Sequence, residues 1–269
     1  MPEEKQGLRR IRSYVIRTPR ASKSHDALIQ SAHSEGIYYS LHNYGDREVA
    51  NLLEYLQSVI FPHPAPWTYA HETPVFSVSA EDNKPLQENK SAYPLFWIDI
   101  GFGNGDSLIK FAQQFPHILF LGIEVHELGV RQALSKASRY ELDNVLVVRG
   151  DVLDLLEAFA GHIRVHAVTA LFPDPWPKKR HQKRRLFTEA SLSLVAKIMH
   201  PGAMFGFASD WQPYSEEVGA FLSSSESFEV LFSPYAPRPF WRAQTKYEKK
   251  SIADGRLTRD ILATRTDVL

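Results

Sequence analysis

From Pro94 onward, short apolar runs alternate with stretches in which apolar residues recur every three or four positions. Leu95–Ile100 (LFWIDI) is a continuous apolar run with a carboxylate near its end, and it predicts a buried strand. Asp106–Phe115 carries Leu108, Ile109, Phe111, Ala112 and Phe115 on one face, the spacing of an amphipathic helix. The alternation continues with strands at Ile118–Glu124, Val145–Val148, Val165–Phe172 and Ala203–Ala208. Helices are expected between and after them at Glu127–Glu141, Val152–Phe159, Arg184–His200 and Ser215–Leu222. Strands and helices in strict alternation predict the α/β class: a mostly parallel sheet with helices on both faces. Ligands of such sheets sit at the carboxyl ends of the strands, so the polar residues there are the candidates for chemistry.

Ahead of Pro94 the pattern is weaker. Glu48–Ile60 has helical apolar spacing, and the three prolines of Phe61–Trp67 prevent its continuation. Glu81–Tyr93 is polar and reads as a loop. The organisation expected is a basic arm over 1–40, an inserted helical and loop segment over 41–93, and one α/β domain over 94–269.

Composition changes this picture in two ways. The chain of 269 residues contains no cysteine. Disulfides, thiolate metal sites and iron–sulfur clusters are thereby excluded, as is methyl transfer through a cysteine or a radical-generating cluster. A reducing, cytoplasmic compartment fits, and no apolar run reaches the roughly 20 residues that span a bilayer, so no membrane partner is expected. Formal net charge is zero, yet the cations are clustered. Lys5 to Lys23 holds seven basic residues, Lys178 to Arg185 (KKRHQKRR) six in eight, and Arg238 to Lys250 five with the single acid Glu248. If the clusters converge on one face, a polyanion is the natural partner; if they do not, they are ordinary solvated surfaces.

The first strand leads into Asp99-Ile-Gly101-Phe-Gly103-Asn-Gly105. A dinucleotide fingerprint wants glycine at its sixth position, where Asp106 stands. The acid before the glycines would repel a pyrophosphate, whereas S-adenosylmethionine (SAM) brings an ammonium group and no phosphate, so charge sign favours SAM over NAD. Glu124 ends the second strand, where an acid can bind both hydroxyls of a ribose. Asp151 follows the third strand and is placed either to accept from an adenine amino group or to cap the next helix. After the fourth strand comes Leu171-Phe-Pro-Asp174-Pro-Trp-Pro-Lys178, stiffened by three prolines, with Asp174 at the sheet rim and Trp176 available to stack. The basic run that follows, placed at the start of the expected helix Arg184–His200, would oppose the helix dipole, which points to a phosphate backbone as its partner.

DIGFGNG, FLGIEVHELGV at 120–130, FPDPWPKKRHQKRR at 172–185, ASDW at 208–211 and TKYE at 245–248, with RIRSYVIR at 10–17, together resemble the bacterial tRNA (guanine-N7-)-methyltransferases. The resemblance covers most of the chain. It implies a Rossmann-like SAM-dependent methyltransferase fold with one antiparallel strand near a sheet edge, and methylation of guanine N7 in tRNA, at guanosine 46 of the variable loop. It implies cofactor contacts from Asp99, Gly101, Gly103, Glu124, Asp151 and Asp174, and makes Asp174 the expected catalytic residue. Lys178, Asp210, Thr245, Lys246, Tyr247 and Glu248 would contact the substrate nucleotide. Arg180, His181, Gln182, Lys183, Arg184 and Arg185 would hold RNA. Three features depart from the family pattern: Asp99 where Glu is usual, the longer stretch from about Leu41 to Tyr93, and Arg242-Ala-Gln-Thr where Arg-Pro-x-Thr is usual.

Guanine N7 has an in-plane lone pair and no proton, so no general base is required, and the enzyme's task is alignment. Asp174 is expected to hold the donor edge of the guanine or to order the cofactor end of the site, with Asp210 a second acceptor. Other readings are an NAD-dependent oxidoreductase, an RNA-binding paralogue without turnover, and a SAM-dependent methyltransferase of another RNA. No metal site is expected, since His162 and His166 flank a turn-to-strand segment. The residues do not decide between monomer and homodimer.

Overall fold

The computed structural model describes residues 23–34, 38–60, 67–70, 73–76, 93, 95–236, 238, 239 and 242–268. The basic run Lys5 to Lys23, apart from its last residue, lies outside them, as does most of Glu81–Tyr93. In chain order the elements are α1 (Lys23–Ser34), β1 (Tyr38–Ser40), α2 (Leu41–Val59), the antiparallel hairpin β2 (Trp67–Ala70) and β3 (Thr73–Phe76), β4 (Leu95–Ile100), α3 (Asp106–Gln114), β5 (Ile118–Glu124), α4 (Glu127–Arg139), β6 (Val145–Arg149), α5 (Val152–Phe159) and β7 (Val165–Leu171). A 3-10 turn (Lys179–Arg184) follows, then α6 (Glu189–Ile198), β8 (Met199–Ser209), α7 (Gln212–Ser224), β9 (Phe228–Ala236), α8 (Lys246–Ala253) and β10 (Arg259–Arg265).

Eight strands form one sheet in the order β1-β6-β5-β4-β7-β8-β10-β9. β1 through β8 in that order run parallel, and β10 runs antiparallel to both β8 and β9. This is the mostly parallel α/β sheet expected from the alternating pattern, with its reversed strand next to the β9 edge.

Alternate residues of a strand face opposite sides of its sheet, and β4 divides the core accordingly. Phe96, Ile98 and Ile100 pack with Leu52 and Leu56 of α2, Leu155 of α5, Val195 of α6 and Val218 of α7. Leu95 and Trp97 pack on the other face with Ala32 of α1, Leu108 and Phe111 of α3, and Val130 of α4. All six residues of β4 are buried, which explains why its sequence shows no polar alternation.

Two regions differ from expectation. The helix expected over Arg184–His200 is broken: the basic run forms its own 3-10 turn, and α6 begins only after Thr188. The Thr188 hydroxyl accepts from the Ser191 amide, the Ser191 side chain accepts from Thr188 N, and Glu189 occupies the first turn. A helix with its own cap and acid is not opposed by the cations upstream, so the dipole argument for a phosphate partner does not apply here. Near the N-terminus, Tyr38–Ser40 adds a parallel strand beside β6, and α2 starts at Leu41 rather than near Glu48 and helps cover one face. Among the described residues no helix is long and apolar enough to cross a membrane.

Candidate active site

The chain leaves β4 for β5 and β6 on one side and later returns to β7 and β8 on the other. Strand order therefore reverses between β4 and β7, and the connections departing to opposite faces open a crevice at the carboxyl ends. A cavity of about 560 Å³ lies there, with Gly101, Gly103, Glu124, Asp151, Asp174, Trp176, Arg184, Lys246 and Tyr247 in its walls. A second cavity of about 20 Å³ is bounded by Asp99 and Thr245 and shares Gly101, Asn104, Lys246 and Tyr247 with the first.

The glycine loop after β4 is built for close approach. Gly103 has φ +61°, a left-handed conformation that side chains resist. Gly129, in the first turn of α4, sits so close that a Cβ there would lie 2.1 Å from the Gly103 carbonyl oxygen. Helix α4 thus presses directly on the loop. Asp106, at the start of α3, is paired with Lys136 and Asn104, so that helix N-terminus already holds an anion.

Glu124 is 6% exposed at the end of β5. Its Oε1 accepts from the Val125 and His126 amides at 2.8 and 2.9 Å, and its Oε2 from the Gly103 amide at 2.9 Å. A carboxylate offers about four acceptor positions, so three amides fix its orientation and one position is left. Asp151 is the cap of α5, its Oδ1 accepting from Leu153 N at 2.9 Å, and the residue also lines the cavity.

Asp99 is 1% exposed and faces the α3/α4 side of the sheet. It is opposite Thr169 in the parallel register of β4 and β7, and the Thr169 hydroxyl donates to its Oδ1 at 2.8 Å. Its Oδ2 is buried without a hydrogen-bond partner. Burial raises the Asp99 carboxyl to about 7; the Thr169 hydrogen bond opposes this and the nearby Glu124 charge adds to it.

The loop after β7 is strained as well as proline-rich. Phe172 and Trp176 have φ of +58° and +42°, conformations costing side-chain-bearing residues about 1–3 kcal/mol each. Its anchors are visible. Phe172 N donates to Ala208 O at 2.7 Å, and the Phe172 ring stacks on Tyr247 with centroids 6.5 Å apart. Arg185 Nε donates to the Pro175 carbonyl at 2.9 Å, and the Arg184 guanidinium lies 5.0 Å over the Trp176 ring. Asp174, at the crest, is exposed.

The residues that the resemblance assigns to substrate and RNA divide into two groups. Lys246 and Tyr247 are exposed on the cavity wall, and Lys178, Arg180 and Lys183 are exposed on or beside the 3-10 turn, with His181, Gln182 and Arg184 half-buried. Arg184 and Lys246 thereby bring the second and third basic clusters to one cavity. The others are engaged by the protein itself. Thr245 caps α8 by accepting from Glu248 N, and Asp210 accepts from Ser251 Oγ at 2.6 Å and pairs with Arg256. Glu248 is buried against Arg242, whose guanidinium also grips Asp260 at 2.6 and 2.8 Å. Arg185 requires a correction: it is 3% exposed, paired with Glu217 and packed over Tyr214, so it anchors the loop from inside rather than facing RNA. Sequence reasoning assigned no role to Thr169, Asp260 or Arg242, the last noted only as part of an altered motif. A threonine amid VHAVTAL gives no signal of its own until strand register sets it opposite Asp99.

A family model described as "Putative methyltransferase" matches residues 94–260. A tRNA (guanine-N(7)-)-methyltransferase of Francisella tularensis subsp. novicida is 41% identical over 153 residues, 57% of this chain and 67% of that protein. One from Cronobacter sakazakii is 40% identical over 171 residues, 62% and 71% of the two chains. The crystal structure of 16S rRNA methyltransferase KamB is similar with a TM-score of 0.50 at 16% identity, over 70% of this chain and 94% of that one, which speaks for the fold. With its glycine loop, proline-stiffened loop and rim of acids inside the matched span, the chain belongs to the tRNA (guanine-N7-)-methyltransferase family.

Proposed function

We propose that this protein transfers the methyl group of SAM to N7 of a guanosine in tRNA, guanosine 46 of the variable loop being the expected position. The observation that carries the reading is that the larger cavity at the β4/β7 reversal gathers Glu124, Asp151 and Asp174 with Arg184, Lys246 and Tyr247. The lining fits the cofactor by charge and shape. A buried, unpartnered Asp99 oxygen suits a cationic group, the remaining acceptor position of Glu124 suits a ribose hydroxyl, and Asp106 at the α3 N-terminus disfavours the pyrophosphate of a dinucleotide. When bound, SAM supplies an electrophilic methyl on a sulfonium.

The protein's own residues perform the alignment. Asp174, held out from a loop that cannot relax, accepts from the guanine N1–H and amino group and so selects guanine over adenine. Tyr247, backed by Phe172, offers a ring face beside it. Arg184, with Lys178, Arg180 and Lys183, holds the phosphates, offsetting the few kcal/mol of unstacking the base. Asp210 and Glu248 act through α8, Glu248 holding its first turn to Arg242 and Asp210 its last turn through Ser251. No group is needed as a base, because N7 carries no proton.

Asp174→Ala is expected to remain folded and to lose about 100-fold or more in tRNA methylation, since the lost alignment is the catalysis. Transfer of labelled methyl groups to tRNA checks this; a folded variant with near-normal turnover contradicts the assignment.

A further inference from the structure

The free oxygen of Asp99 has a definite origin in the three residues around it. Trp97 Nε1 donates to Thr169 Oγ1 at 2.9 Å, and the indole N–H has no other proton to give. With its oxygen accepting there, the Thr169 hydroxyl has one proton, and it goes to Asp99 Oδ1 at 2.8 Å. The polarity of the chain is therefore set at the indole. The Thr169 proton is thus committed to Asp99 and Oδ2 is left unpartnered, while Asp99 lines a cavity of about 20 Å³, room for about one water, that shares Gly101 and Asn104 with the larger one.

We propose that Thr169 is a positioning residue for cofactor binding: polarised by Trp97, it holds Asp99 so that Oδ2 faces the ammonium group of SAM, directly or through one water. The inference rests on the SAM reading above. Neither Trp97 nor Thr169 lines either of these two cavities, so both act through Asp99. The charged and titratable groups around Asp99 are Glu124 from β5, Asp106 from α3, and Lys246 and Tyr247 from α8, with Thr169 itself on β7. Removing the hydroxyl takes away the one bond that favours the ionised carboxyl, so the variant needs a higher pH to present a charged oxygen.

Calorimetric titration of the full chain with SAM, repeated from pH 6 to 8.5, tests this together with steady-state methylation. Thr169→Val is expected to weaken SAM about tenfold, to raise KM for SAM by a similar factor, and to leave kcat within about twofold at saturating SAM. The midpoint of the binding profile should move to higher pH, and Thr169→Ser should restore affinity and midpoint. Trp97→Phe frees the hydroxyl to turn and should shift the profile in the same direction by a smaller step, which keeps the test alive should Thr169→Val not fold. Wild-type affinity and midpoint in Thr169→Val overturn the proposal, as does a Ser variant as impaired as Val, which would make side-chain shape the cause. Wild-type protein that takes up no SAM overturns the cofactor reading itself, and the proposal with it.

Discussion

Asp99 stands where strand chemistry and charge conflict. A carboxyl at the centre of a parallel sheet loses its water, and one hydrogen bond with Thr169 does not replace it. Folding raises its proton affinity from an ordinary 3.8 to about 7. The folded chain therefore holds an extra proton between those values, and the stability this contributes is complete below about pH 4 and lost as pH rises through 7. A rise of that size sets an order-of-magnitude ceiling of about 4 kcal/mol on the effect. Asp99→Asn removes the titration, so urea unfolding should find it increasingly more stable than wild type from pH 4 to 8, while it binds SAM more weakly. Equal pH slopes for the two proteins would contradict the buried-acid account. Most of the acids were legible because each lies at or just past the end of a strand, and a strand end is visible as an apolar run giving way to glycine or loop. What Asp99 faces was not legible, since its partner lies 70 positions away and only register brings it near.

At the scale of elements, the loop after β7 and the 3-10 turn behind it form one device. Arg184 and Arg185 are neighbours in a run of cations, and nothing in their sequence separates them. The backbone turns one toward Trp176 at the surface and the other inward onto Pro175, Glu217 and Tyr214. Two different outcomes follow. Arg184→Glu should bind tRNA less tightly with a salt slope reduced by about 1, as one fewer phosphate contact releases fewer counterions; an unchanged slope would remove it from the RNA interface. Arg185→Ala should cost about 2 kcal/mol in urea unfolding, discounted because Glu217 is partly solvated, and a variant as stable as wild type would exclude the anchoring role. The glycine loop gives a third case. Gly129→Ala puts a methyl against the Gly103 carbonyl, displaces the loop, and should abolish SAM binding while leaving the remote core intact. The periodic helices and apolar strands were readable because burial dictates their residues. The break after Arg184 was not, because apolar residues continue through Leu186 and Phe187 as they would in a helix, and the cap at Thr188 overrides them.

For the molecule as a whole, topology does what no single residue can. Winding outward from β4 in one direction and then the other leaves a gap in the layer of connections, where Glu124, Asp151 and Asp174 line the larger cavity and Asp99 the small one beside it. The α/β alternation was legible from Pro94 to Leu222 because alternation of periods is a long-range pattern, whereas β9, α8 and β10 beyond it were not read from the pattern. The additions of β1 and α2 were less so, a strand of three residues being too short to show a period. Basic clusters far apart in sequence converge at this gap through Arg184 and Lys246, giving a neutral chain one locally positive rim beside its acidic floor. The most direct test incubates the protein with methyl-labelled SAM and unmodified tRNA and then maps the modified base. Label recovered as 7-methylguanosine at one position of the variable loop is the result expected. Label in another base, in another atom of guanine, or in no RNA at all despite SAM binding would contradict the account.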